Sequence, residues 1–188
     1  MNKIFTLRSL AIFSFVIFLL PFMRTCSNRG VKELVKTPME ISEEDSEDAP
    51  VIFSSNEEYQ QAIAETKKNY TFNFYSLTVV VFDGFNWKNV SSDKNFWAFL
   101  GFSIILFSSI FILICSLANS FKIIFLLSTI NLVILFISTL IFYLTEIIEN
   151  INQIKIGYYL FVLNSIALIF LSKRILTEKE NPVKTSNL

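Results

Sequence analysis

The side chains of this sequence that are best placed to do chemistry are two asparagines inside long apolar segments. Asn131 lies near the middle of the uncharged segment 123–144, and Asn164 lies near the middle of segment 156–172. In an apolar environment, amide hydrogen bonds between helices contribute roughly 0.5–2 kcal/mol each. If the two segments are antiparallel neighbours, Asn131 and Asn164 meet at the same depth. We interpret the pair as a contact between helices, with a contact to a substrate as the alternative.

Other kinds of chemistry are disfavoured by the composition. The chain has no histidine, which removes His-based acid–base catalysis and Ser-His triads. Its two cysteines are too few for a disulfide scaffold or a Cys₄ zinc site. Lys+Arg and Asp+Glu number 16 each, so net charge gives no reason to expect a nucleic-acid partner. We expect no catalytic site, metal or cofactor, and we expect that the protein is not an enzyme.

Cys26 follows the first apolar segment, in the stretch FLLPFMRTC. The residues before it, Met23, Arg24 and Thr25, are not the small residues that precede a cleavage site. We therefore expect an uncleaved membrane anchor, with lipidation at Cys26 and cleavage as alternatives. A lone thiol outside the membrane would also suit an intermolecular disulfide, whereas a buried thiol at a helix end is the plainer interpretation. Cys115 is interpreted as a small core residue.

The apolar segments predict an integral membrane protein. The chain is 53% hydrophobic with a mean hydropathy of +0.53, which is unusual for a soluble domain of 188 residues. A helix needs about 20 apolar residues to cross a bilayer. We predict four transmembrane helices, at residues 1–23, 96–118, 123–144 and 156–172, followed by a cytoplasmic tail at 173–188.

Residues 24–95 are the one sizeable polar region. Residues 24–50 are acidic and read as a flexible linker. Within 51–95, Tyr59, Ala62 and Ile63 form an apolar stripe that predicts a short helix. Asp83-Gly84 lies between β-rich runs and predicts a hairpin with strands at 72–82 and 85–90.

An isolated hairpin is marginally stable, so this one should pair with another segment. The candidates are the segment just after Met23 and the connection 145–155. That connection has isoleucines at helical spacing, which suggests that it continues the third transmembrane helix or lies along the membrane surface. The hairpin aromatics Phe82, Phe85 and Trp87 are a candidate partner surface, and packing inside the outer domain is the alternative.

The order of basic and apolar residues at the start of the chain favours a cytoplasmic N-terminus. Basic residues near the opposite ends of the spans almost balance this preference. With the N-terminus inside, both termini are cytoplasmic and region 24–95 is extracytoplasmic.

The layout of one span, an outer domain with strands, two spans joined by a short turn and a last span resembles the claudin-like tetraspan architecture. The stretches LPFMRTC, FYSLTVVVFDGF and IKIGYYLFVLNSIALIFLS are similar to uncharacterised bacterial four-span membrane proteins. The claudin signature of a tryptophan motif with two outer cysteines is absent, so a barrier function does not transfer.

The predicted fold class is mainly α: a four-helix transmembrane bundle with a small α+β extracytoplasmic domain between the first and second spans. We expect a non-enzymatic protein of the bacterial cell membrane that contacts the lipid bilayer and binds another envelope protein or itself. Two alternatives are a small oligomeric transporter or channel subunit, and a membrane immunity or regulatory protein.

Overall fold

The structure is a computed structural model and describes residues 3–35, 56–80 and 94–180. It is mainly helical, with one small sheet of two strands. In chain order the elements are α1 Lys3–Ile17, β1 Pro21–Arg24, α2 Asn28–Leu34, α3 Asn56–Asn69, β2 Thr71–Asn73, α4 Phe74–Val80, α5 Lys94–Leu117, α6 Phe121–Leu144, a 3₁₀ turn at Ile151–Gln153, and α7 Ile156–Glu180.

Three helices are long and apolar enough to cross a membrane. These stretches are Phe96–Leu117 with 22 residues, Phe121–Leu144 with 24 and Ile156–Lys179 with 24. The three apolar helices are compatible with an integral membrane protein. The first helix, α1, has 15 residues and is about 22 Å long, less than the roughly 30 Å of a bilayer core.

Helices α1, α5, α6 and α7 pack into a four-helix bundle. Each contacts two of the others: α5 lies against α1 and α6, and α7 lies against α6 and α1. Lys3 at the start of α1 is ion-paired with Glu178 near the end of α7, so these helices are antiparallel. We call the two ends of the bundle the Glu178 end and the Lys155 end.

The buried faces of these helices alternate spacings of three and four residues, as in coiled-coil packing. On α6 this stripe is Phe121, Ile124, Ser128, Asn131, Leu135, Ser138 and Phe142. Helices α5 and α6 approach closely at Gly101, where an added Cβ would collide with the hydroxyl of Ser138. Large apolar side chains on the opposite faces, such as Phe107, Phe136 and Leu163, are exposed.

Helix α1 ends earlier than the predicted 20-residue span because of Pro21. Proline has no N–H to donate and its ring clashes with the carbonyl four residues earlier, here that of Ile17. The chain turns over residues 18–20 and continues as β1. Residues 18–23 were expected to be helical, and this part of the prediction is wrong. Phe22 and Met23 in the strand are nevertheless fully buried.

Strand β1 obtains its hydrogen bonds from distant parts of the chain. It pairs antiparallel with β2, with Arg24 opposite Thr71. Met23 also forms a bridge with Ile154, and the N–H of Lys155 donates to the carbonyl of Phe22 at 2.9 Å. The pairing of β2 with the segment around Met23 agrees with one of the two partners proposed for the predicted hairpin, whereas connection 145–155 bonds to β1 and not to β2. At Gly157 an added Cβ would lie 2.8 Å from the carbonyl oxygen of Pro21, so α7 needs a glycine at this position.

Aromatic packing fixes this sheet to the bundle. The rings of Phe18 and Phe74 stack with centroids 4.0 Å apart, and Phe22 packs edge-on against Phe74 at 5.0 Å. Phe102 of α5 and Phe161 of α7 complete the group, at 5.5 and 6.0 Å from Phe74. All five rings are buried.

Within the described part of the strand predicted at 72–82, the chain is a strand over Thr71–Asn73 and a helix, α4, over Phe74–Val80. The side-chain oxygen of Asn73 accepts hydrogen bonds from the N–H of Ser76 at 2.8 Å and from its hydroxyl at 2.9 Å. This is an N-cap interaction, and it outweighs the β propensity of the residues that follow. The turn at Asp83-Gly84 and the second predicted strand lie outside the described residues.

Connection 145–155 does not continue helix α6, which corrects the sequence-based expectation. Glu146 has a φ of 60°, and the 3₁₀ turn follows at Ile151–Gln153. The fully buried side chain of Gln153 organises this connection. Its oxygen accepts from the N–H groups of Glu149 and Asn150 at 2.9 and 3.0 Å. Its amide donates to the carbonyls of Ile147 at 2.9 Å and Arg24 at 3.0 Å.

Helices α2 and α3 form a small layer of their own, in which Val31, Val35 and Ile63 are buried together. Tyr59 and Ala62 pack against them, so the predicted stripe is the docked face of α3. The other helices have bounds close to the predictions, except that α7 continues to Glu180 through the expected tail. Ile175 in this extension is buried, and Arg174 is paired with Glu178 one turn later.

We predict that Gln153→Met destabilises the protein by about 2–4 kcal/mol, because it leaves buried main-chain groups without partners. The measurement is the free energy of unfolding of the full chain in mixed micelles. Gln60→Met, on the exposed face of α3, is the matched control and should change it by less than about 0.5 kcal/mol. Equal effects of the two substitutions would contradict the role given to Gln153.

Candidate functional site: a polar layer across the bundle

A layer of polar side chains divides the apolar core of the bundle into two clusters. The cluster at the Lys155 end includes Ile17, Ile105, Leu135 and Phe161. The cluster at the Glu178 end includes Ala11, Ile112, Ile124 and Leu168. Between them, every helix contributes buried hydroxyl or amide groups: Ser14 on α1, Ser109 on α5, Ser128 and Asn131 on α6, and Asn164 and Ser165 on α7.

Asn164 connects α7 to α1. Its Nδ2 donates to the hydroxyl oxygen of Ser14 at 2.8 Å and to the carbonyl oxygen of Leu10 at 3.2 Å. The Ser14 hydroxyl in turn donates to that same carbonyl at 3.3 Å. These hydrogen bonds are buried or partly buried, and the two from Asn164 fix the depth of the short helix α1 against α7.

Asn131 connects α6 to α5 by one long hydrogen bond. Its Nδ2 donates to the hydroxyl oxygen of Ser109 at 3.5 Å, and that hydroxyl donates to the carbonyl oxygen of Ile105 at 2.8 Å. The hydrogen bond expected between Asn131 and Asn164 is not present. The structure places the two amides at a similar depth, but each bonds to a different neighbouring helix.

Four oxygen atoms of the layer are buried without a hydrogen-bond partner. They are Oδ1 of Asn131 and Asn164 and Oγ of Ser108 and Ser128. An unpaired buried polar atom costs about 1–3 kcal/mol, so such atoms usually bind water or a ligand. All four can accept a hydrogen bond, so each is a position where a buried water molecule would find a partner.

The one charged side chain inside the first apolar segment, that of Arg8, lies at the Glu178 end of the bundle. Arg8 donates from Nε to the carbonyl of Ser116 at 3.2 Å and from Nη2 to the carbonyl of Leu117 at 3.3 Å. These carbonyls lie at the C-terminus of α5, where a positive charge is favoured by the helix dipole. Arg8 thus has a capping role, and the polar layer itself is uncharged.

The remaining predicted site residues are distributed as follows. Cys26 is half-buried beside the α2–α3 layer, Cys115 is buried in the core, and the two do not form a disulfide with each other. Lipidation or an intermolecular disulfide at Cys26 stays a prediction. Phe82, Phe85 and Trp87 lie outside the described residues. Among the residues that the structure describes, no group of three or more His, Cys, Asp or Glu side chains could hold a metal ion.

Sequence reasoning missed three polar residues that the structure makes important. Ser14 looked like one of many serines in apolar segments. Gln153 had a detectable signal, since Asn150 and Gln153 have the spacing of a capping box and form one. Arg24 was considered as a residue before a possible cleavage site and as a basic charge after the first span, although the residue is only 6% exposed.

Comparisons with known proteins give no relative. No family model, curated protein or solved structure matches the chain.

We predict different effects of removing the two amides. Asn164→Leu removes one buried and one partly buried hydrogen bond between α7 and α1 and should destabilise the protein by about 1–2 kcal/mol. Asn131→Leu removes one long bond and an unpaired oxygen, and should change stability by less than about 0.5 kcal/mol. The measurement is unfolding in mixed micelles, and a larger loss for Asn131→Leu than for Asn164→Leu would contradict this description.

Proposed function

We propose that this chain is a non-enzymatic integral membrane protein that binds a partner protein and thereby organises a complex in the cell envelope. The partner would bind the elements outside the bundle, which are the β1–β2 sheet, α2 and α3. One observation carries the proposal: the main chain around the sheet is hydrogen-bonded to the end of the bundle. The N–H of Phe74 donates to the carbonyl of Phe18 at 3.1 Å, and the N–H of Lys155 donates to that of Phe22 at 2.9 Å. A surface held in this way loses little conformational entropy on binding.

The exposed face of α3 is the surface that this arrangement presents. Its apolar stripe is turned toward α2, and Glu57, Gln60, Gln61, Glu65 and Lys68 remain exposed. A polar face of mixed charge suits a protein partner, either another envelope protein or a second copy of the chain. The aromatic surface of Phe82, Phe85 and Trp87 stays a prediction beside it.

The chemistry of the chain supports a role without catalysis. It has no histidine, and the polar layer contains only amides and hydroxyls. Neutral groups of this kind rarely serve as general acids or bases near pH 7.

The distribution of charge supports a cytoplasmic location of both termini, in a bacterial cell membrane. The Glu178 end holds the start of α1, the end of α7 and the turn between α5 and α6. Basic side chains lie there: Lys3, Arg8, Lys122, Lys173, Arg174 and Lys179. Basic residues near the Lys155 end almost balance them, but a region as long as 24–95 translocates largely regardless of its charge, so we place the Glu178 end in the cytoplasm and the β1–β2 sheet, α2 and α3 outside.

A second candidate function is favoured by the unpartnered oxygens of the polar layer. An oligomeric transporter or channel subunit for a small neutral solute would use such atoms as its contacts. Solute uptake by liposomes containing the protein, compared between the wild type and the Asn131→Leu/Asn164→Leu double variant, would distinguish the two functions. Binding of a partner requires no uptake, whereas transport requires uptake that the double variant loses.

The partner-binding proposal predicts site-specific cross-linking. A photoreactive amino acid at Gln60 or Gln61 should give a discrete protein adduct in intact cells at native expression. The same amino acid at Leu163, which is exposed on the apolar face of α7, is the control and should give none. Ile63→Asp should abolish the adduct, because a buried charge separates α3 from α2. Absence of an adduct at both α3 positions would refute the proposed surface.

The orientation predicts the accessibility of cysteines in intact cells. A membrane-impermeant maleimide should label a cysteine introduced by Gln61→Cys and should not label one introduced by Lys173→Cys, both in a Cys26→Ser background. The labelled masses would be read on the full-length protein. The reverse pattern would overturn the orientation without affecting the fold.

A further inference from the structure

The Lys155 end of the bundle brings three positive charges together from three separate segments. Arg24 lies in β1 opposite Thr71 of β2, and Thr71 donates from its hydroxyl to the carbonyl of Lys67 at 2.6 Å, in the last turn of α3. On the other side of β1, the N–H of Lys155 bonds to the residue two positions before Arg24 at 2.9 Å. The sheet therefore places Lys67 and Lys155 on either side of Arg24.

Arg24 is the unusual member of this group. Its side chain is buried, with 6% exposed. Nη2 donates to the neutral Oδ1 of Asn28 at 3.0 Å, and the Nε N–H is buried without a hydrogen-bond partner. The ion pairs of Glu178 with Lys3 and with Arg174 lie at the opposite end of the bundle. Within the described residues the hydrogen-bond partner of Arg24 is thus a neutral amide, and a buried guanidinium is stabilised strongly by an anionic partner.

The neighbouring lysines increase the excess of positive charge. Burial, then the charge of Arg24 and then that of Lys67 lower the pKa of Lys155 from its usual value. Lys155 donates from Nζ to the carbonyl of Asn152 at 2.8 Å, which is a neutral partner. A group with several anionic oxygens would satisfy all three cations, and phosphate matches the fork of an arginine and the point charges of two lysines.

We propose that Arg24, Lys67 and Lys155 form a binding site for a phosphate group, supplied by an anionic lipid headgroup or by a soluble phosphate compound. The site lies beside the first turn of α7, at the end of a span that is apolar enough to cross the membrane. Clusters of basic side chains at a membrane surface attract anionic phospholipid headgroups. Partner binding by α3 does not depend on this site.

The test uses the full-length protein in neutral detergent micelles and measures its Tm. The two probes are dioctanoyl phosphatidylglycerol and inorganic phosphate. Their controls are dioctanoyl phosphatidylcholine and chloride at equal ionic strength. Binding to the folded state raises Tm with probe concentration, which gives an apparent affinity. A rise with phosphatidylglycerol alone identifies a lipid headgroup as the source, and a rise with inorganic phosphate identifies a soluble compound; either result supports the site.

Lysine variants distinguish binding of the probes at this site from their nonspecific electrostatic attraction to the protein. Lys67→Gln and Lys155→Gln should each weaken the apparent affinity about tenfold, as expected for one charged hydrogen bond. Lys68→Gln is the matched control, because Lys68 is adjacent to Lys67 but exposed. The comparison uses lysines because they are less buried than Arg24 and their variants retain the fold. The proposal is overturned if neither probe raises Tm above its control, or if Lys68→Gln weakens binding as much as Lys67→Gln.

Discussion

This structure depends on one constraint: the main chain must be hydrogen-bonded in a part of the molecule that has little contact with water. Pro21 ends α1 after 15 residues, well short of a bilayer core. The chain must then continue through the end of the bundle as a strand, and its N–H and C=O groups need partners. The strand β2, the turn that contains Gln153 and the start of α7 supply them. Gly157 allows the close approach that these bonds require.

The same constraint explains which parts of the fold could be predicted from the sequence. Uncharged runs of more than 20 apolar residues, such as those of α5 and α6, have one stable solution in lipid, so their bounds were predicted within two or three residues. Residues 18–23, 74–80 and 145–155 were misassigned. Their conformation is set by a proline, by the Asn73 cap and by the Gln153 hydrogen bonds. Local propensity does not encode the distant partners of such groups.

The candidate site was partly predictable for a similar reason. The positions of Asn131 and Asn164 near the middle of their apolar segments predicted that both lie midway along the bundle, where the polar layer is found. Their hydrogen-bond partners depend on how each helix is rotated and on which helices are neighbours. That information comes from the alternating three- and four-residue spacing of all four buried stripes together, and a single segment does not contain it. The proposed phosphate site was harder still to predict from the sequence. It depends on the pairing of β1 with β2, about 50 residues apart, which brings Arg24 near the end of α3 that contains Lys67.

The buried strand also determines the order in which the protein can be completed during synthesis. The partners of β1 lie about 50 and 130 residues later in the chain, so its hydrogen bonds cannot form until those residues have been synthesised. Contacts of such long sequence separation form slowly. Strand β1 near the start of the chain is thus completed by the residues that lead into α7.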